Sequence, residues 1–235
     1  MKSSIGRALM SLSLAVLLAI PLPAQTKECD RVDNAGTVMK EIMDIPDDIP
    51  QSVIDKAYCV VVLPSVLKLA FVFGASYGRG VMTCRSGENF RGPWGAPSMM
   101  ALEGGSFGLQ LGGQATDFVL LLMNERAAAS ILTSKVKLGG DASAAAGPVG
   151  RNASAETDAT MRAQVLSYSR ARGLFAGISL AGSTLRPDNS ANRELYGKDI
   201  SAKDVVLKGQ AVAPDCAKLL IATLNERSPK NLSGD

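Results

Sequence analysis

The strongest constraint on this chain is a stretch in which glycine alternates with bulky apolar residues: Gly104-Gly105-Ser106-Phe107-Gly108-Leu109-Gln110-Leu111-Gly112-Gly113-Gln114-Ala115-Thr116-Asp117, followed directly by the apolar run Phe118 to Met123. Read as one extended strand, its side chains alternate between faces. Phe107, Leu109 and Leu111 then share one face, and Gly108, Gln110, Gly112 and Gln114 share the other. A strand this rich in glycine is locally weak, so protein backbone or a ligand must approach it closely. Packing against protein is the favoured reading of the bare face.

The pattern recurs twice. Between Phe71 and Val81, Phe71, Phe73, Ala75 and Tyr77 oppose Val72, Gly74, Ser76, Gly78 and Gly80; between Leu174 and Ser183, Leu174, Ile178 and Leu180 oppose Gly177, Ser179, Ala181 and Ser183. Three such strands imply close sheet packing or strong curvature. Further strands are expected at Cys59–Leu63, ended by Pro64, at Ser98–Leu102, at Lys135–Leu138 and at Gln164–Ser169. Apolar residues at helical spacing predict a helix over Glu28–Met43 and a short one starting near Pro50. Asn124 and Ser201 read as helix caps, and helices are expected over Asn189–Leu195 and after Pro214. The fold class is therefore α+β: a glycine-rich, curved, mainly antiparallel β-sheet core, sandwich- or barrel-like, flanked by N-terminal and C-terminal helices.

Lys2 and Arg7 precede an uncharged apolar run from Ala8 to Ile20 and then Pro21-Leu22-Pro23-Ala24, the pattern of a secretory leader over residues 1–24. Export to the periplasm or the medium is the expectation, with a single domain over residues 25–235. Across the 235 residues, 25 basic residues against 22 acidic ones give no basic footprint for nucleic acid. Cys29, Cys59, Cys84 and Cys216 all lie beyond the leader, where disulfides form, and three pairings are open. A bridge from Cys29 or Cys216 to the sheet would anchor a terminal helix. With no histidine and no C-x-x-C pair, neither a metal site nor a cofactor is expected.

Six ordered blocks carry a resemblance. They are Leu63-Pro64 with Lys68, Phe71, Gly74, Gly78 and Gly80; Trp94-Gly95-Ala96-Pro97; Ser106-x-Gly108-x-Gln110-x-Gly112-x-Gln114-x-x-Asp117; Leu138-Gly139 with Asp141-Ala142 and Gly147-Pro148-Val149-Gly150; Tyr168-Ser169-x-x-x-Gly173-Leu174-Phe175-Ala176-Gly177; and Asn192 with Leu195-Tyr196-Gly197. In these the chain resembles the SYLF family, the lipid-binding and actin-regulator module also called Ysc84-like. The resemblance implies a binding module. Eukaryotic members bind phosphoinositides and in some cases actin, and bacterial members are commonly exported. The basic or amphipathic N-terminal region associated with phosphoinositide binding is not matched, because residues 27–56 hold four basic residues against eight acidic ones.

The lack of histidine removes the usual general base and the Ser-His-Asp and Cys-His arrangements, so the chain is read as a non-enzyme. Asp117, Asp141 and Asp158 form the polar cluster to inspect, against the plainer reading that they cap turns. Lys68, Arg79, Arg91, Gln110 and Gln114 are the candidate lipid-binding residues, against the favoured plainer readings of the three cations as solvated surface charges and of the two glutamines as bonded within the sheet. The expected function is a lipid- or membrane-associating module of the cell envelope, with phospholipid or a membrane surface as partner. The alternative is a structural or protein-interaction module of the periplasm with an envelope protein as partner and no lipid ligand.

Overall fold

The computed structural model describes residues 26–46, 48–70, 73–107, 112–150, 162–171 and 174–233, with the backbone alone at 68–70, 73–74, 105–107 and 112–114. The leader segment 1–24 lies outside the described residues. The described residues build nine strands, β1 (Cys59–Ala70), β2 (Phe73–Cys84), β3 (Ser98–Phe107), β4 (Gly112–Leu122), β5 (Val136–Lys137), β6 (Ala144–Ala146), β7 (Val165–Ala171), β8 (Leu174–Gly177) and β9 (Thr184–Pro187). They form one sheet in the order β5-β9-β3-β2-β1-β4-β7-β6, with β8 also paired to β7. Only β6 with β7 is parallel among the strand pairs. The sheet curls into a half-barrel, and the α+β class holds.

Helices cover both faces. Helix α1 (Lys27–Met43) buries Val32, Ala35, Val38, Met39, Ile42 and Met43, a stripe at i, i+3, i+4 spacing, and Thr26 caps it by accepting from the Cys29 N–H. With α2 (Gln51–Ile54), α4 (Asn189–Tyr196) and α6 (Lys218–Arg227) it packs on Val60, Val62, Val81, Val119 and Leu121. The opposite face, Val61, Leu63, Met100, Leu102, Phe118 and Leu120, is covered by α3 (Glu125–Thr133) and α5 (Ala202–Val206), with Val136 of the edge strand β5 in the same cluster. Both expected caps are present: Asn124 accepts from the Ala127 N–H, and Ser201 forms a capping box with Asp204. The central strands are thus buried on both sides, which explains their unbroken apolar runs.

Three expectations are corrected. The stretch 104–122 is not one strand: it is divided between the end of β3 and the start of β4, which are separated in the sheet by β2 and β1. Pro64 does not end β1, because the strand passes through it on an irregular register. Pairing after Leu174 stops at Gly177, and the chain re-enters the sheet only at Thr184. The four cysteines do form two disulfides, in one of the three open pairings: Cys29 bonds Cys216 and Cys59 bonds Cys84, so the terminal cysteines tie α1 to the turn preceding α6, helix layer to helix layer, while the other bridge joins β1 to β2.

The glycines of the strands mark places of close approach, by backbone at Gly80 and Gly177 and by a side chain at Gly78. A Cβ on Gly80 would overlap the Val62 carbonyl oxygen and stand 2.8 Å from Leu63 Cα; one on Gly78 would overlap the Val66 side chain; one on Gly177 would overlap the Gly147 carbonyl. Gly182, at φ +90°, has nothing within 4 Å of that position. Gly80→Ala is therefore expected to cost about 3 kcal/mol or more by overpacking against immobile backbone, and Gly182→Ala about 1–2 kcal/mol through its left-handed conformation alone. Urea unfolding midpoints of the two variants check the order, and equal losses would contradict it.

Candidate functional site

The register shifts of β1 fall at Pro64 and Ser65, where the strand bulges on both edges. Proline has no N–H to give the ladder, and Ser65 adopts φ +50°, a region unusual for a residue with a side chain. The bulge is held by Asp117 on β4, whose Oδ1 accepts the Ser65 N–H at 2.8 Å. Past the bulge, β1 and β2 carry Leu67 and Tyr77 opposite each other, 55% and 44% exposed. These two side chains, Pro64 and Ser65 on one side and the α1 residues Arg31, Asn34, Thr37, Val38 and Glu41 on the other enclose a groove of about 480 Å³. Gly78, Arg79, Asp117 and Arg170 complete its walls.

The charges around it are interlocked. Asp117 and Arg170 are register partners on β4 and β7, and Asp117 Oδ2 accepts from Arg170 Nε at 3.1 Å and Nη2 at 2.8 Å. Arg170 Nη1 donates to Glu41 of α1, which joins the helix to the sheet. Burial pulls the Arg170 guanidinium down, but its bonds to Asp117 and Glu41 outweigh that and leave its pKa raised. At the other end, Arg79 Nε donates to the Tyr77 hydroxyl at 2.6 Å and stands 3.4 Å from Asp188 Oδ2. The Tyr77 bond raises the Arg79 pKa, partial burial opposes it, and Asp188 adds to the rise. Asp188 caps α4, accepting from the Ala191 N–H at 3.3 Å and the Ser190 hydroxyl at 2.8 Å. Burial pushes its carboxyl up, yet these bonds and the field of Arg79 and Arg186 hold it below the ordinary value. Arg31 donates to the buried Glu28 at 2.8 Å.

The groove therefore offers guanidinium donors at Arg31 and Arg79, carboxylates at Glu41 and Asp117, and an apolar lip. Of the residues singled out from sequence, Arg79 and Asp117 meet here. Arg91 is exposed on the β2–β3 connection and takes no part in the lining. Asp141 accepts the Lys137 N–H at 2.8 Å and closes a turn beside Leu138 and Ala142, which pack on the opposite face of the sheet from the groove. Asp117 and Asp141 thus do not cluster. Gln110 and Asp158 lie outside the described residues, as do the side chains of Lys68 and Gln114. Sequence reasoning missed Ser65, Arg31, Glu41 and Arg170. Arg170 sits at an unspecified position of the Tyr168–Gly177 block, and only strand register brings it to Asp117.

Comparison with known proteins matches residues 103–227 to the family model Ysc84, described as Las17-binding protein actin regulator. An SH3 domain-containing protein of Schizosaccharomyces pombe is 39% identical over 218 residues, covering 88% of this chain and 49% of that protein. Protein YSC84 of Saccharomyces cerevisiae is 33% identical over 210 residues, 88% of this chain and 44% of its own length. The SH3 domain-containing YSC84-like protein 1 of Xenopus laevis is 36% identical over 217 residues, 89% and 63% respectively. The chain spans about half the length of the yeast relatives it matches.

Asp117→Ala removes the acceptor for Ser65 and one of the two carboxylates on Arg170, and is expected to cost about 2 kcal/mol, with Asp117→Asn costing less because it keeps an acceptor. Equal urea midpoints for all three chains would contradict this. Because Asp188 titrates below the ordinary 3.8, the unfolded chain takes up its proton first as pH falls. Its contribution is full above that value and is lost as pH drops through the folded-state pKa. Asp188→Asn should accordingly flatten the acid side of the stability profile measured by urea midpoints from neutral pH downward.

Proposed function

The chain belongs to the Ysc84 family of Las17-binding protein actin regulators, the SYLF family, and from that membership we propose that it is a non-catalytic, lipid-associating module of the cell envelope. The observation that carries the lipid reading is the exposed Leu67–Tyr77 pair on the lip of a groove that presents Arg31 and Arg79. An amphiphile at a membrane surface has the matching order of groups, an anionic or zwitterionic head followed by apolar chain. Exposed aromatic and aliphatic side chains beside cationic ones are the combination that engages such an interface. The leader pattern of residues 1–24 supports a periplasmic or secreted location.

A protein-interaction role is the second reading, and the names of the relatives favour it: YSC84 and LAS seventeen-binding protein 3 of Saccharomyces cerevisiae fall in the family of Las17-binding actin regulators. In that case the groove takes a side chain or a peptide rather than a lipid.

Co-sedimentation of the purified chain with neutral, anionic and lipid A-containing vesicles separates the two. The expected result is binding to vesicles, reduced about five-fold or more in Leu67→Asp and Tyr77→Asp by loss of apolar contact. Binding to none of the vesicles would sink the lipid reading, and a stable partner retained in their absence would favour the second.

A further inference from the structure

We propose that the groove selects a headgroup with a single phosphodiester and disfavours polyphosphorylated ones, an inference that rests on the lipid-associating reading above. Its guanidinium groups are not a bare cationic patch. Arg31 is bonded to Glu28 at 2.8 Å, Arg79 stands 3.4 Å from Asp188, and Arg170 is held between Asp117 at 2.8 Å and Glu41. Four carboxylates accompany three guanidinium groups, so the cluster exerts no long-range pull on an anion. A ligand must be held by short hydrogen bonds instead of accumulated charge.

The donors that stand clear of the groove's carboxylates Glu41 and Asp117 are those of Arg31 and Arg79. Arg170 commits Nε, Nη1 and Nη2 to its two carboxylates. Among the described residues Arg31 donates from Nη1 alone, to Glu28, and Arg79 hydrogen-bonds from Nε alone, to Tyr77. A guanidinium has five N–H donors, so both keep donors for a further acceptor. The two non-ester oxygens of one phosphodiester can take them. A second or third phosphate on the same head would have to lie toward Glu41 and Asp117, whose charges repel it, and both carboxylates line the same groove. Leu67 and Tyr77 at the lip then receive the glycerol and the first carbons of the acyl chains. The remaining donors of Arg31 and Arg79 and the position of the apolar lip beside them point to one occupant, a membrane phospholipid carrying one phosphodiester.

The test is co-sedimentation of the full chain with three vesicle types: phosphatidylcholine, phosphatidylcholine with phosphatidylglycerol, and phosphatidylcholine with a bisphosphorylated inositol lipid, the last two matched in surface charge. The phosphatidylglycerol vesicles are expected to bind at least as well as the inositol-lipid vesicles. Arg79→Ala should weaken binding about five-fold, the loss of a charge-assisted hydrogen bond. Glu41→Gln, at a half-exposed side chain whose removal of charge leaves the core untouched, should raise binding to the inositol-lipid vesicles selectively. Tighter binding of the unaltered chain to the inositol lipid at matched charge, or no response to Glu41→Gln in a variant with an unchanged urea midpoint, overturns the inference and leaves the lipid reading standing. Binding to none of the three removes the lipid reading itself.

Discussion

The bulge of β1 on the glycines of β2 is the constraint from which the rest of the site follows. At Pro64 and Ser65 the central strand loses its regular register with both neighbours; its backbone fills the space that Gly80 leaves open, and its Val66 side chain fills the space at Gly78. The irregularity is stable because Asp117 accepts the stray Ser65 N–H, and Asp117 is in turn fixed by Arg170 and through it by Glu41 on α1. One displaced peptide thus couples three strands to a helix. A bulge also increases local twist and bends the strand, in keeping with a sheet that curls.

The end of the central strands at Cys59 and Cys84 is closed firmly. Cys59 and Cys84 bridge the first residues of β1 to the last of β2. Beyond them the buried Arg85 donates to the carbonyls of Ala57 and Ser228 and to the Ser228 hydroxyl, with its guanidinium 4.4 Å from the centre of the Trp94 ring. Burial lowers its pKa to about 10, so it remains charged at neutral pH. Trp94 Nε1 donates to the same Ser228 carbonyl, which fastens the end of α6 to the sheet. Packing and polar bonds are concentrated at this pole, and the exposed apolar pair Leu67 and Tyr77 stands toward the other. That asymmetry is what leaves a surface available for binding.

The groove's electrostatics temper what family membership suggests. Its arginines read in isolation would make an anion site, yet each is already paired with a carboxylate. Paired guanidinium groups position acceptors by geometry and contribute little field at distance. The acidic balance of residues 27–56 agrees with this, since α1 supplies Glu28 and Glu41 to the cluster. Specificity in such a site comes from where the donors stand.

The sequence by itself determined the α+β class, the caps at Asn124 and Ser201, the apolar runs of the central strands and the family, because periodicity, capping chemistry and ordered glycine blocks are local properties. It also identified glycine positions where something had to approach closely. It could not say that β3 and β4 are separated by β2 and β1, nor that Pro64 lies within a strand, since pairing partners and bulges depend on residues far away in the chain. Arg79 and Asp117 were visible as chemistry-bearing residues, but Arg31, Glu41, Ser65 and Arg170 were indistinguishable from ordinary surface positions. The groove exists only where α1 crosses the bulged strand and the β4–β7 register sets Asp117 against Arg170. Tertiary structure decided the site because Arg170 stands more than fifty residues along the chain from both Asp117 and Glu41, and the ladder and the core, not any local pattern, bring them together.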